Sequence, residues 1–99
     1  VIKIEGDIDH HTSEEIREKI DRDYFREKAK NIVFELSSVS FMDSSGIGML
    51  IGRYKNIEKQ GGQVAICNVS ENIERIFNMS GLQKIIKCYT TLDEALKEI

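Results

Sequence analysis

The stretch Phe41-Met42-Asp43-Ser44-Ser45-Gly46-Ile47-Gly48, residues 41–48, changes character halfway: an apolar pair gives way to an acid, two hydroxyls and a glycine. From there Ile47, Leu50, Ile51, Tyr54 and Ile57 fall at i, i+3, i+4, i+7 and i+10, one apolar stripe of a helix that Gly61-Gly62 ends. Ser44 or its neighbour is then the N-cap. A strand end running straight into a helix start is the junction from which α/β domains are built. Such junctions lie at the carboxyl edge of the sheet, where these domains place their sites.

Upstream, Asn31 to Leu36 is a short β-rich run and Ser37 to Ser40 a polar turn. Before them, Thr12 and Glu15 have capping-box spacing and Ile16, Ile20 and Tyr24 recur every four residues, which predicts a helix from about Ser13 to about Glu27. Val1 to Glu5 alternates apolar and charged residues, a strand with one buried face that Gly6 breaks. Downstream, Gln63 to Cys67 has strand character, and Ser70 opens a third helix carrying Ile73, Ile76 and Phe77 that Gly81 closes. Ile85 to Tyr89 is a further strand. Thr91 and Glu94 repeat the capping-box spacing before a short last helix with Leu92, Ala95, Leu96 and Ile99 on its apolar face. Strands alternate with helices over short connections, which predicts one α/β domain over residues 1–99. Its sheet is expected to be mixed but mostly parallel, with about four helices in βα repeats and right-handed crossovers. Because Val1 opens directly in a strand-like run, a further strand is expected ahead of it.

The 99 residues carry 14 Lys and Arg against 17 Asp and Glu, and the signs are interleaved, so nothing draws the chain to a phosphate backbone or an anionic bilayer. No apolar run approaches the ~20 residues of a membrane span, and no export signal is visible. Neither a direct nucleic-acid partner nor a membrane is expected, and the reading is of a cytoplasmic protein. Apolar residues make up 40%, enough for one core without a metal or disulfide. Cys67 and Cys88 lie in apolar runs without C-x-x-C spacing and are expected to be reduced core thiols. Asp7, Asp9, His10 and His11 invite a metal, yet adjacent residues point in different directions and no third ligand has recognisable spacing. A solvated polar loop is expected there, with no metal and no cofactor.

Glycine inside a helix costs ~1 kcal/mol relative to alanine, so Gly46, Gly48 and Gly52 ask for close approach of another backbone, the domain's own or a partner's. A hydroxyl in the first turn of a helix either caps it or accepts a phosphoryl group, which free N–H groups and the helix dipole would stabilise. Gly6-Asp7-Ile8-Asp9-His10-His11-Thr12 also follows a strand and precedes a helix, so Asp9 and Ser44 are expected to be neighbours. An enzyme is not expected. Neither serine fits G-x-S-x-G, the third glycine of a dinucleotide fingerprint comes one residue late at Gly52, and there is no G-K-[ST] loop.

Gly6-Asp7-Ile8-Asp9-His10-His11-Thr12, Phe41-Met42-Asp43-Ser44-Ser45-Gly46, Gly52-Arg53-Tyr54 and Met79-Ser80-Gly81, in register, make the chain resemble the STAS domain family from about Gly6 to the last helix. Within the family it is most similar to the anti-sigma factor antagonists of sporulation. The resemblance implies a non-enzymatic module that, unphosphorylated, binds an anti-sigma factor and so releases a sigma factor. That partner would be an ATP-dependent serine kinase that phosphorylates the antagonist and lets it go, and a serine phosphatase would reset it. Ser44 is the implied phosphoacceptor, with Ser45 its rival. Asp9 would face the partner, and Asp43, Ser45, Gly46 and Ile47 complete the expected contact, although the place of Ile47 in the helical stripe suits the core equally. Asp7 stands where the sporulation proteins carry glutamate. A STAS domain that senses a nucleotide or another small ligand is the alternative within the same fold.

Overall fold

The computed structural model describes residues 1–27 and 29–99, the side chains of Phe25 and Glu27 excepted. Along the chain run β1 (Ile2–Glu5), α1 (Ser13–Glu27), β2 (Ile32–Ser38), α2 (Ser44–Lys59), β3 (Val64–Cys67), α3 (Glu71–Ser80), β4 (Lys87–Tyr89) and α4 (Leu92–Glu98), with a 3-10 turn at Leu82–Lys84. The strands pair in the order β1-β2-β3-β4, each in parallel with the next. When every crossover steps the same way with the same hand, the crossover helices share one face. Accordingly Ile20 of α1, Leu50 and Ile57 of α2, and Ile73 and Phe77 of α3 pack in one cluster with Ile4, Phe34, Leu36 and Ile66. The last helix, α4, covers the other face, Ala95 meeting Val33, Ala65 and Cys67. Covered on both sides, β2 buries its first five residues in a row, the continuous pattern of an interior parallel strand.

Three local expectations change for tertiary reasons. First, β2 continues past Leu36 through Ser38, because Ser38 pairs with Glu5 across an irregularity in β1 and its carbonyl accepts the Gly6 N–H at 3.0 Å. Second, Ile85 and Ile86 leave the last strand, since both return their N–H groups to the Leu82 carbonyl at 2.9 and 3.0 Å. Third, the Thr12 hydroxyl turns back into the loop before α1, donating to the Asp7 carbonyl at 3.0 Å and accepting from the Asp9 N–H at 3.0 Å, in place of the predicted capping box. Ser70 and Thr91 do cap α3 and α4, accepting from Ile73 and Glu94 N–H at 3.2 and 3.1 Å. Arg53, outside the predicted stripe, is buried all the same. Its Nε stands 3.0 Å from Asp21 Oδ1, an ion pair that joins α2 to α1.

The two cysteines occupy neighbouring strands but opposite faces: Cys88 is level with Ile66 and Cys67 with Tyr89, and successive strand residues alternate. They therefore cannot pair with each other. Burial pushes both thiols up, Cys88 to about 11, so at pH 8 that residue is roughly one part in a thousand thiolate. Both thiols of the folded protein are expected to react with DTNB at least about tenfold more slowly than in urea. A stoichiometric burst of either thiol at mixing would contradict this placement.

Candidate functional site

Two loops meet at the carboxyl edge of β1 and β2, and Ile8 is the joint between them. Fully buried, it bridges Met42 in parallel; its N–H donates to the Phe41 carbonyl at 2.9 Å and its carbonyl accepts the Asp43 N–H at 3.1 Å. Gly46 completes the seat. A Cβ there would come within 2.5 Å of Met42 Cγ and 2.8 Å of Ile8 Cγ2, so the missing side chain is what lets α2 come down on Ile8. The close backbone approach expected of the helix glycines is thus internal at Gly46. Gly48 and Gly52 meet nothing within 4 Å.

Asp43 is the N-cap of α2, in extended conformation, and its carboxylate reaches two ways. Oδ1 accepts the Ser45 and Gly46 N–H groups at 2.8 and 3.3 Å, while Oδ2 accepts the His10 N–H from the other loop at 3.0 Å. Ser44 is consequently the first residue of α2 and is exposed, whereas Ser45 behind it is half-buried. In the facing loop Asp9 Oδ1 accepts from the N–H groups of His11 and Thr12 at 2.9 and 3.1 Å. Those bonds, the one from the Thr12 main chain foremost, hold the Asp9 carboxyl below the usual range, so it is a fixed negative charge. Asp7 accepts from the Ser40 hydroxyl at 2.7 Å, and Asn72 of α3 donates to the Ser40 carbonyl at 3.0 Å, which ties a third element to the edge.

The bond from His10 N–H to Asp43 sets the loop that carries Asp9 beside the start of α2, which carries Ser44 and Ser45. Gly46 and Ile47 are not at the surface. Gly46 is covered by Ile8 and Met42, and Ile47, 9% exposed, packs in the core, the second of the two places its position in the stripe allowed. The expectation of free helix N–H groups beside Ser44 also changes, because Asp43 already occupies those of Ser45 and Gly46. One surface residue was missed: Phe41 is 44% exposed while its neighbour Met42 is 1% exposed. Strand alternation requires one of two adjacent apolar residues to face out, but only the bridge to Ile8 decides which.

His10 and His11 are both exposed, their rings edge to face at 5.4 Å, and among the described residues no group of three or more His, Cys, Asp or Glu side chains is placed to hold a metal. A cleft of about 630 Å³ lined by Glu74, Gln83, Lys87, Cys88, Tyr89 and Glu98 shares no residue with the Ser44 edge. Among the described residues no helix is long and apolar enough to cross a membrane.

One edge of this parallel α/β domain thus gathers an exposed hydroxyl, hydrogen-bonded carboxylates and an exposed aromatic ring. The STAS domain model matches residues 1–95, and the chain belongs to the STAS domain family. Within that family it is similar to the anti-sigma F factor antagonist of Paenibacillus polymyxa, 40% identical over 99 residues that span all of this chain and 85% of the relative. It is also similar to the anti-sigma-B factor antagonist of Bacillus subtilis, 36% identical over 86% of this chain and 76% of the relative. Among solved structures, the anti-sigma factor antagonist SpoIIAA in its unphosphorylated form superimposes with a TM-score of 0.79 at 33% identity, covering 97% of this chain and 83% of that one. The phosphorylated form of the Bacillus cell fate determinant SpoIIAA gives 0.69 at the same identity, covering 97% and 86%.

Proposed function

We propose that this protein is an anti-sigma factor antagonist whose docking edge is switched by phosphorylation of Ser44. The observation that carries the reading is the exposed Ser44 hydroxyl at the first position of α2, directly after the Asp43 cap and on the same edge as Asp9 and Phe41. Likeness to antagonists of anti-sigma factors, and to one solved in both phosphorylation states, supports it. In this reading the unphosphorylated edge binds an anti-sigma factor in the cytoplasm and frees a sigma factor, in a sporulation programme. The partner is also the kinase. Ser44 Oγ attacks the γ-phosphorus of ATP, the bond to the departing ADP oxygen breaks, and the hydroxyl proton leaves to a base of the kinase or to water. A phosphatase then hydrolyses the ester and restores the hydroxyl.

The direct test is incubation with the anti-sigma F factor of Paenibacillus polymyxa and MgATP, followed by tandem mass spectrometry. One phosphate on Ser44 is expected; exclusive modification of Ser45, or none at all, sinks the proposal. A second expectation concerns Asp9. Asparagine keeps an oxygen for the His11 and Thr12 N–H groups but removes the charge, so Asp9→Asn should weaken partner binding about tenfold while the melting temperature moves by no more than about 2 °C. Unchanged affinity in a calorimetric titration would leave Asp9 as a loop-shaping acid only.

A further inference from the structure

The ladder that joins the two loops stops at Ile8, and Asp9 lies beyond it. Among the described residues, the one hydrogen bond that joins residues 9–12 to residues 43–46 is the donation from His10 N–H to Asp43 Oδ2 at 3.0 Å. The other oxygen of the same carboxylate holds the first turn of α2, whose first residue is Ser44. Asp43 is thus shared between the element that carries the hydroxyl and the loop that carries the fixed charge. We infer that Asp43 is a positioning residue: its carboxylate straps the Asp9 loop to the start of α2 and sets the spacing at which a partner meets the Asp9 charge and the Ser44 hydroxyl together. Phosphate on Ser44 cannot take over the Ser45 and Gly46 donors while Asp43 holds them, so the added charge stays on the solvent side of the strap. The binding arm of the test rests on the docking role proposed above; the exchange arm does not.

Asp43→Asn separates the two functions of the side chain. Its carbonyl oxygen still caps α2, but its amide NH₂ faces the His10 N–H donor to donor, so the strap is lost with almost no change in shape. Hydrogen exchange is expected to show the His10 amide exchanging at least about tenfold faster, with the Ser45 and Gly46 amides unchanged. Asp43→Ser, a good N-cap too short to span both loops, should behave alike. In titrations with the anti-sigma F factor of Paenibacillus polymyxa, Asp43→Asn and Asp9→Asn should each weaken binding. The double variant should be no weaker than Asp43→Asn alone, because Asp9 is already out of place. Unaltered His10 exchange overturns the strap, and multiplicative losses in the double variant make Asp43 an independent contact instead. If the wild-type protein fails to bind, the proposed function falls, while the exchange measurement still decides the role of Asp43.

Discussion

Ser44→Ala is expected to bind the anti-sigma factor as the wild type does and to take up no phosphate, whereas Ser44→Asp is expected to bind at least about tenfold more weakly. The hydroxyl is exposed and its neighbour Asp43, not Ser44 itself, caps the helix, so removing it leaves the cap intact. Phosphoserine adds ~1.5 to 2 negative charges at neutral pH. At ~5 Å and an effective dielectric of ~20, each unit charge facing a like charge costs roughly 3 kcal/mol, less where water screens it, and ~1.4 kcal/mol is already tenfold in affinity. Burying a dianion under a partner adds a desolvation cost. Aspartate carries one charge and is smaller than the phosphate, so it should reproduce the direction of the effect and only part of its size. Isothermal titration of the three proteins against one partner measures this, and equal affinity for all three would remove Ser44 from the interface.

The second large effect is on stability. Gly62→Ala is expected to destabilise the domain by about 3 kcal/mol, lowering the melting temperature by about 12 °C or more. A Cβ on Gly62 would run into the Lys30 carbonyl oxygen and come within 2.7 Å of Ile57 Cγ2. Neither side yields easily. The Gly62 N–H is donated to the Ile57 carbonyl at 2.9 Å, and next door Ile32 N–H binds the Gln63 carbonyl at 2.9 Å while Gln63 N–H binds Asn31 Oδ1 at 2.8 Å, pinning the starts of β2 and β3 together. Gly48→Ala is the control with the opposite sign. Nothing lies within 4 Å of its added Cβ, so helix propensity should stabilise the fold by up to about 1 kcal/mol. Thermal denaturation of both variants tests the pair, and destabilisation of similar size at both positions would refute the packing described for Gly62.

Much of the architecture is carried by local signals. The helical character of α1, Ser13–Glu27, follows from the four-residue recurrence of Ile16, Ile20 and Tyr24, and the Gly81 terminus of α3 from a residue suited to the left-handed φ of 78° found there. The strand edges are less legible. Ser37 and Ser38 have turn-like character yet lie in β2, because β1 supplies Glu5 as the pairing partner of Ser38 while the Ser37 N–H is taken by Glu35 Oε1 at 2.7 Å. Arg53 looks like a solvated helix residue and is buried because α1 brings Asp21 to it. The Thr12-Glu15 spacing has the form of a cap, but the hydroxyl finds nearer partners in the loop behind it.

What the chain alone determined is the alternation of strands and helices and the presence of Ser44 at a helix start, since periodicity and turn residues are properties of neighbours in sequence. Only the tertiary structure decided that Gly46 and not Gly48 takes the close contact, that Phe41 faces out while Met42 faces in, and that Asp43 spends its second oxygen on His10. The physical reason is the same in each case: these outcomes depend on groups 33 to 38 residues apart, which meet only after β1 and β2 have paired.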